Sequence, residues 1–123
     1  MGINFREVGQ RKVSLARVME NRDNMDLETL MEKHPNKVTI IDFDSYVDSE
    51  TGEYIYAFVT KEEPNHFTFA GKILKDCFTE FESAYEDNKA CVEELKAQGG
   101  VAVELSRKKS KDGKKEYTAV KFL

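Results

Sequence analysis

Apolar positions in the first third of the chain recur at helical spacing. In VSLARVMENRD, Val13, Leu15, Val18 and Met19 fall near an i, i+3, i+4 face; in MDLETLMEKHPN, Leu27, Leu30 and Met31 do the same before Pro35 ends the run. Two short helices are therefore predicted, the second capped by Asn24 or Asp26. From Lys37 the period changes to two, and β-branched and aromatic residues crowd in. KVTIIDFDSYVD, EYIYAFVTKE and HFTFA predict a three-strand meander, with SETG as the first turn, EPN as the second connection and Gly71 as the stop. Beyond Gly71 the helical period returns through Leu74, Phe78, Phe81, Tyr85, Val92 and Leu95, interrupted at Asn88, where one more apolar residue belongs. Gly99 or Gly100 suits the left-handed position that closes a helix. VAVELSR and EYTAVKFL then predict two final strands joined by a KDG turn.

This order divides the chain into a helical extension over residues 1–36 and a domain over residues 37–123. Strand-strand-strand-helix-strand-strand matches the OB-fold, a five-stranded Greek-key barrel with a helix between strands 3 and 4. The expected class is mainly β with α+β content. An open α+β sheet with a helix across one face has the same element order.

Composition adds bounds rather than detail. A 123-residue chain that is 40% hydrophobic and 34% charged is that of one ordinary globular domain, so disorder and repeat architectures are excluded. The N-terminus lacks the apolar core of a secretory leader, and no apolar run approaches the roughly 18 residues a membrane span needs. Arg6 stands where a myristoylation motif wants Ser or Thr. The expected location is cytoplasmic, without a membrane partner. Cys77 and Cys91 lie on one helical pattern, about 21 Å apart if that helix is continuous, so buried thiols are expected rather than a disulfide.

Charge is more informative by segment. Residues 1–36 hold six Lys or Arg against six Asp or Glu, residues 37–100 hold six against fourteen, and residues 101–123 hold seven against three. A net charge of −4 argues against a general affinity for polyanions, yet it leaves room for a basic finger on an acidic body. That finger is SRKKSKDGKK, with Arg107, Lys108, Lys109, Lys111, Lys114 and Lys115 around Asp112 and Gly113.

LMEKHPNKVTIIDFD, YIYAFVTKEEPNHFTFAGKIL and ELSRKKSKDGKKEYTAVKF resemble the small single-stranded DNA-binding-like OB-fold proteins of bacteriophages and mobile elements of Firmicutes. The resemblance spans residues 26–123 and carries no catalytic signature. It implies DNA-associated binding without chemistry.

An OB-fold presents nucleic acid to the face of strands 2 and 3, flanked by the loops between strands 1 and 2 and between strands 4 and 5. SRKKSKDGKK is that second loop, so its six cations are the expected phosphate contacts. Strand 2 is apolar on both sides. If Ile55, Ala57 and Val59 point inward, Tyr54, Tyr56 and Phe58 form a stacking platform beside Phe67 and Phe69; if the aromatics point inward, they are core. In a third arrangement the N-terminal segment or a second copy of the chain covers them. VDSETGE, with Asp48, Glu50 and Glu53, repels phosphate and argues the other way.

Catalysis is not expected. Asp42 and Asp44 share a strand face at about 7 Å, a spacing that could help hold Mg²⁺, but alternating Asp near a turn is ordinarily solvated. Glu104 with Lys108 or Lys109 is only faintly nuclease-like, and His34 and His66 have no partners at metal spacing along the chain. The expected function is single-stranded DNA binding with little sequence preference, without cofactor, metal or catalytic residue. Replication or recombination proteins and a second copy of the chain are further candidate partners. The alternative is a non-enzymatic protein-interaction module of a phage or mobile element, using the same aromatic face.

Overall fold

The computed structural model describes residues 16–123. Val13, Leu15 and the start of the first predicted helix lie outside them. The remainder of that stretch forms a short 3-10 turn over Arg17–Met19 and a two-residue strand β1 (Asp23–Asn24), not a helix. Asn21 adopts a left-handed φ of 57°, a conformation that Asn tolerates and that breaks a right-handed helix. Arg22 holds the break by donating to the Val18 carbonyl at 3.2 Å and the Pro64 carbonyl at 3.0 Å. Val18 is then buried against the sheet with Ala16, Ala57, Val59 and Phe67. Tertiary burial of one side chain outweighs a weak local helix preference.

Helix α1 (Leu27–Lys33) begins at Asp26, whose carboxylate accepts from the Thr29 amide at 2.7 Å. This hydrogen bond holds the Asp26 carboxyl below its ordinary value. The sheet strands follow as β2 (Val38–Val47), β3 (Tyr54–Thr60) and β4 (His66–Phe69). The helical stretch after Gly71 divides into α2 (Lys72–Ser83) and α3 (Asn88–Ala97). The break falls where the apolar period fails. Asp87 caps α3 by accepting from the Ala90 amide at 2.8 Å, and Asn88 donates to the Phe43 carbonyl at 3.0 Å and to Glu82 at 2.8 Å. A polar pair thus starts a second helix and ties it to β2. Strands β5 (Val101–Lys109) and β6 (Glu116–Phe122) complete the chain.

The six strands form one sheet in the order β1-β4-β3-β2-β5-β6, antiparallel except for the parallel pairing of β1 with β4. The protein is therefore a mixed α+β structure with an open sheet. Among the described residues no ladder joins β4 to β6, which is the contact that would close the five later strands into a barrel. β1 occupies the outer edge of β4, pairing Asp23 with His66 and Asn24 with Phe67.

Two cores explain why β3 is apolar on both sides. Tyr56 and Phe58 face the helices and join Phe43, Phe78, Leu74 and Val92; the rings of Phe43 and Phe78 stack at 4.4 Å. Ala57 and Val59 face the other way, where Ala16, Val18 and Phe67 cover them. Register along β2 shifts by a bulge between Ile40 and Asp42. At the α3–β5 junction Gly100 has a φ of 92°, and a Cβ there would stand 2.7 Å from the Ile40 carbonyl oxygen, so only glycine fits.

Candidate functional site

Strand β5 follows β2 only from Val101 to Val103; past that point its sole ladder partner among the described residues is β6. Residues 104–121 therefore form a two-stranded ribbon that runs beyond the rest of the sheet. Alternation sorts its side chains. Val103 and Leu105 point into the helix-facing core, and Arg107 continues that side with Thr118 opposite it. Lys108 lies on the reverse side with Tyr117 opposite it, and the last pair is Lys109 with Glu116.

The tip is a defined turn. The Ser110 amide donates to the Lys115 carbonyl and the Gly113 amide to the Ser110 carbonyl, both at 2.8 Å, with Gly113 at a left-handed φ of 72°. Asp112 folds inward, accepting from the Ser110 hydroxyl and from the Lys114 amide at 3.0 Å. Those two hydrogen bonds hold its carboxyl below the ordinary range, the hydroxyl's being the larger effect. The one anion within the tip is thereby engaged with its own backbone, while Lys111, Lys114 and Lys115 stay exposed around it.

Not every predicted cation is free. Arg107 donates to Glu28 of α1 at 2.6 Å, which ties the base of the ribbon to the helix and neutralises the guanidinium. Lys108, Lys109, Lys111, Lys114 and Lys115 form no ion pair among the described residues. The basic site is thus five lysines.

The predicted aromatic platform is not assembled. Tyr56, Phe58 and Phe67 are buried, the first two in the helix-facing core and the third beneath the N-terminal segment. The Tyr56 hydroxyl donates to Glu82, so its polar end is also occupied. Tyr54 is 58% exposed and Phe69 39% exposed, but they lie on opposite faces, since Tyr54 shares the parity of Tyr56 whereas Phe69 stands opposite Ala57. Tyr54 also adjoins the acidic β2–β3 turn, at the end of β2 away from the ribbon. Ten residues of β2 at about 3.4 Å each place these two ends roughly 30 Å apart. An exposed aromatic does accompany the lysines, and it is Tyr117, 41% exposed and directly opposite Lys108. Its signal in the sequence was its position two residues past the end of the basic run, on the partner strand.

Two other polar groupings have structural partners. Asp42, 2% exposed, receives both terminal nitrogens of Arg17 at 2.7 Å with Lys96 at 3.5 Å, and Asp44 accepts from the Arg17 amide at 2.8 Å. Both carboxylates anchor the N-terminal segment, and the Asp42 hydrogen bond raises the Arg17 pKa further. His34 and His66, remote from each other in the chain, converge on Glu63 with separations of 3.0 and 3.7 Å. The His34 hydrogen bond lowers the Glu63 carboxyl below its usual 4.5. Among the described residues no group of three His, Cys, Asp or Glu is placed to hold a metal ion. Cys77 and Cys91 are free thiols whose pKa values burial pushes up. Among the described residues no helix is long and apolar enough to cross a membrane.

Neither the protein-family models nor the curated proteins nor the solved structures contain a match to this chain.

Proposed function

We propose that this protein binds single-stranded DNA without catalysis or strong sequence preference, through the lysine-bearing ribbon. The observation that carries the reading is the projecting β5–β6 hairpin, with five lysines at its end that form no ion pair among the described residues and its own aspartate turned onto the Ser110 hydroxyl and the Lys114 amide. A flexible ammonium is a point charge suited to phosphate rather than to base edges, which favours backbone contact over sequence readout. The acidic surplus of residues 37–100 acts against binding elsewhere on the molecule and confines a polyanion to the ribbon.

The strand order supports the same reading. β4-β3-β2-β5-β6 is the order of an OB-fold opened along the seam between its third and fifth strands, with β1 and α1 inserted there. In that frame the hairpin is one of the two loops flanking the ligand face. The alternative, a partner chain docked on the aromatic face, is weakened because Tyr56, Phe58 and Phe67 are buried.

The test is anisotropy titration of a labelled 30-nucleotide oligo-thymidine and a matching duplex. Five phosphate contacts to a single strand predict a log-log salt slope of about −3.5, hence about a hundredfold weaker binding at 200 mM than at 50 mM salt. Replacing Lys108, Lys109, Lys111 and Lys114 together by Glu should abolish single-strand binding. Unchanged affinity in that variant would refute the reading, and tighter binding to the duplex would redirect it.

A further inference from the structure

The open seam leaves a cleft of about 510 Å³ between β6 and the start of α2. Leu27 and Ile73 supply its apolar lining, Gly71 at the helix start adds no side chain, and Tyr117 borders it on β6. Its charged rim is balanced, Lys72 and Arg107 against Asp76 and Glu116, with Arg107 already paired to Glu28. Such a cleft does not concentrate phosphate.

The lysines without an ion pair among the described residues lie beside Tyr117 instead. Lys108 stands opposite Tyr117 in the ladder, which puts their Cβ atoms within about 5.5 Å of each other. Lys115 and Lys114 precede Tyr117 by two and three residues on the same strand and turn. One short stretch of hairpin thus offers a half-exposed aromatic ring next to phosphate-binding charge, the two components of a single-strand site. Tyr54 adjoins the acidic β2–β3 turn instead.

We propose that Tyr117 stacks on one unpaired base of the bound strand, while Lys108 on the same face of the ribbon and the tip lysines hold the flanking phosphates. This deepens, and rests on, the single-stranded DNA reading above. It makes the site selective for a strand whose bases are unpaired, because a duplex keeps its bases stacked on one another.

The experiment compares oligo-thymidine with an abasic deoxyribose-phosphate strand of the same length and label, against the full chain and its Tyr117→Ala and Tyr117→Phe variants. One stacked base is expected to favour oligo-thymidine by about 5- to 150-fold in the unaltered protein. Tyr117→Ala should lower oligo-thymidine affinity by that factor while leaving abasic-strand affinity and the salt slope unchanged. Tyr117→Phe, which keeps the ring, should bind like the unaltered chain. Equal oligo-thymidine affinity for the Ala variant and the unaltered protein would overturn the stacking role while leaving the lysine reading intact. Failure of the unaltered protein to bind either strand would overturn both.

Discussion

At the scale of single residues, buried charge decides more than exposed charge. Asp42 is enclosed in the protein and depends on Arg17, whose guanidinium grips both carboxylate oxygens at 2.7 Å. Arg17→Ala leaves that carboxylate with only Lys96 at 3.5 Å, and it also releases the segment that covers Ala57 and Val59. Because Arg17 is itself about half exposed, the expected loss is about 1–3 kcal/mol, below that of a fully buried pair. Urea unfolding checks it, and a midpoint equal to that of the unaltered chain would contradict the anchoring role. Glu63 carries a pH dependence instead. Its carboxyl is lowered in the folded protein, chiefly by the His34 hydrogen bond, so it contributes stability above the ordinary 4.5 that is lost as pH falls through the lower folded value. The melting temperature should therefore fall on acidification below about pH 4.5, and Asp26 and Asp112, also lowered in the folded protein, add to the fall below their ordinary 3.8. Glu63→Gln should make that fall shallower; an unchanged acid limb would show that the His34 contact does not persist in solution.

At the scale of elements, junctions are more exacting than the strands and helices they join. Gly100 turns the chain from α3 into β5 at a φ of 92°, directly above the Ile40 carbonyl. Gly100→Ala adds left-handed strain and a 2.7 Å overlap with backbone, where nothing flexible yields. The expected destabilisation is about 1–3 kcal/mol from the backbone conformation alone, with more from the overlap. Thermal unfolding reads it directly. Gly113 is also left-handed, yet a Cβ there meets nothing within 4 Å, so substitution should affect the turn without disturbing the core. The split between α2 and α3 has the same character. Asn88 interrupts the apolar period because its amide bridges Phe43 and Glu82, a role that helical periodicity cannot express.

At the scale of the whole molecule, the arrangement separates stability from the proposed binding. The helix-facing core gathers Phe43, Phe58 and Phe78, and the opposite face of β3 is sealed by the N-terminal segment. The ribbon beyond Val103 contributes Leu105 and Val120 to the core and extends outward from there. Charge reversal at its lysines should therefore leave the melting temperature nearly unchanged while eliminating DNA binding, since substitutions at exposed, unpartnered positions ordinarily change stability by about 0.5 kcal/mol or less. A large drop in melting temperature would mean that the hairpin is structural.

The alternation of period two and period 3.6 determined the order of the later elements, since each period requires one side of an element to meet a core. The basic hairpin was equally legible, because a turn sequence between two alternating strands leaves its lysines nowhere to go but solvent. Local pattern could not decide which face of β3 carried its aromatics to the core, because both faces are apolar and the choice depends on what packs against each. Only the tertiary structure sends Tyr56 and Phe58 to the helices and places Val18 over Val59. It likewise pairs Arg107 with Glu28, 79 positions away, and seats β1 along β4 so that the sheet stays open. Contacts between distant segments set these outcomes, and no periodicity within either segment encodes them.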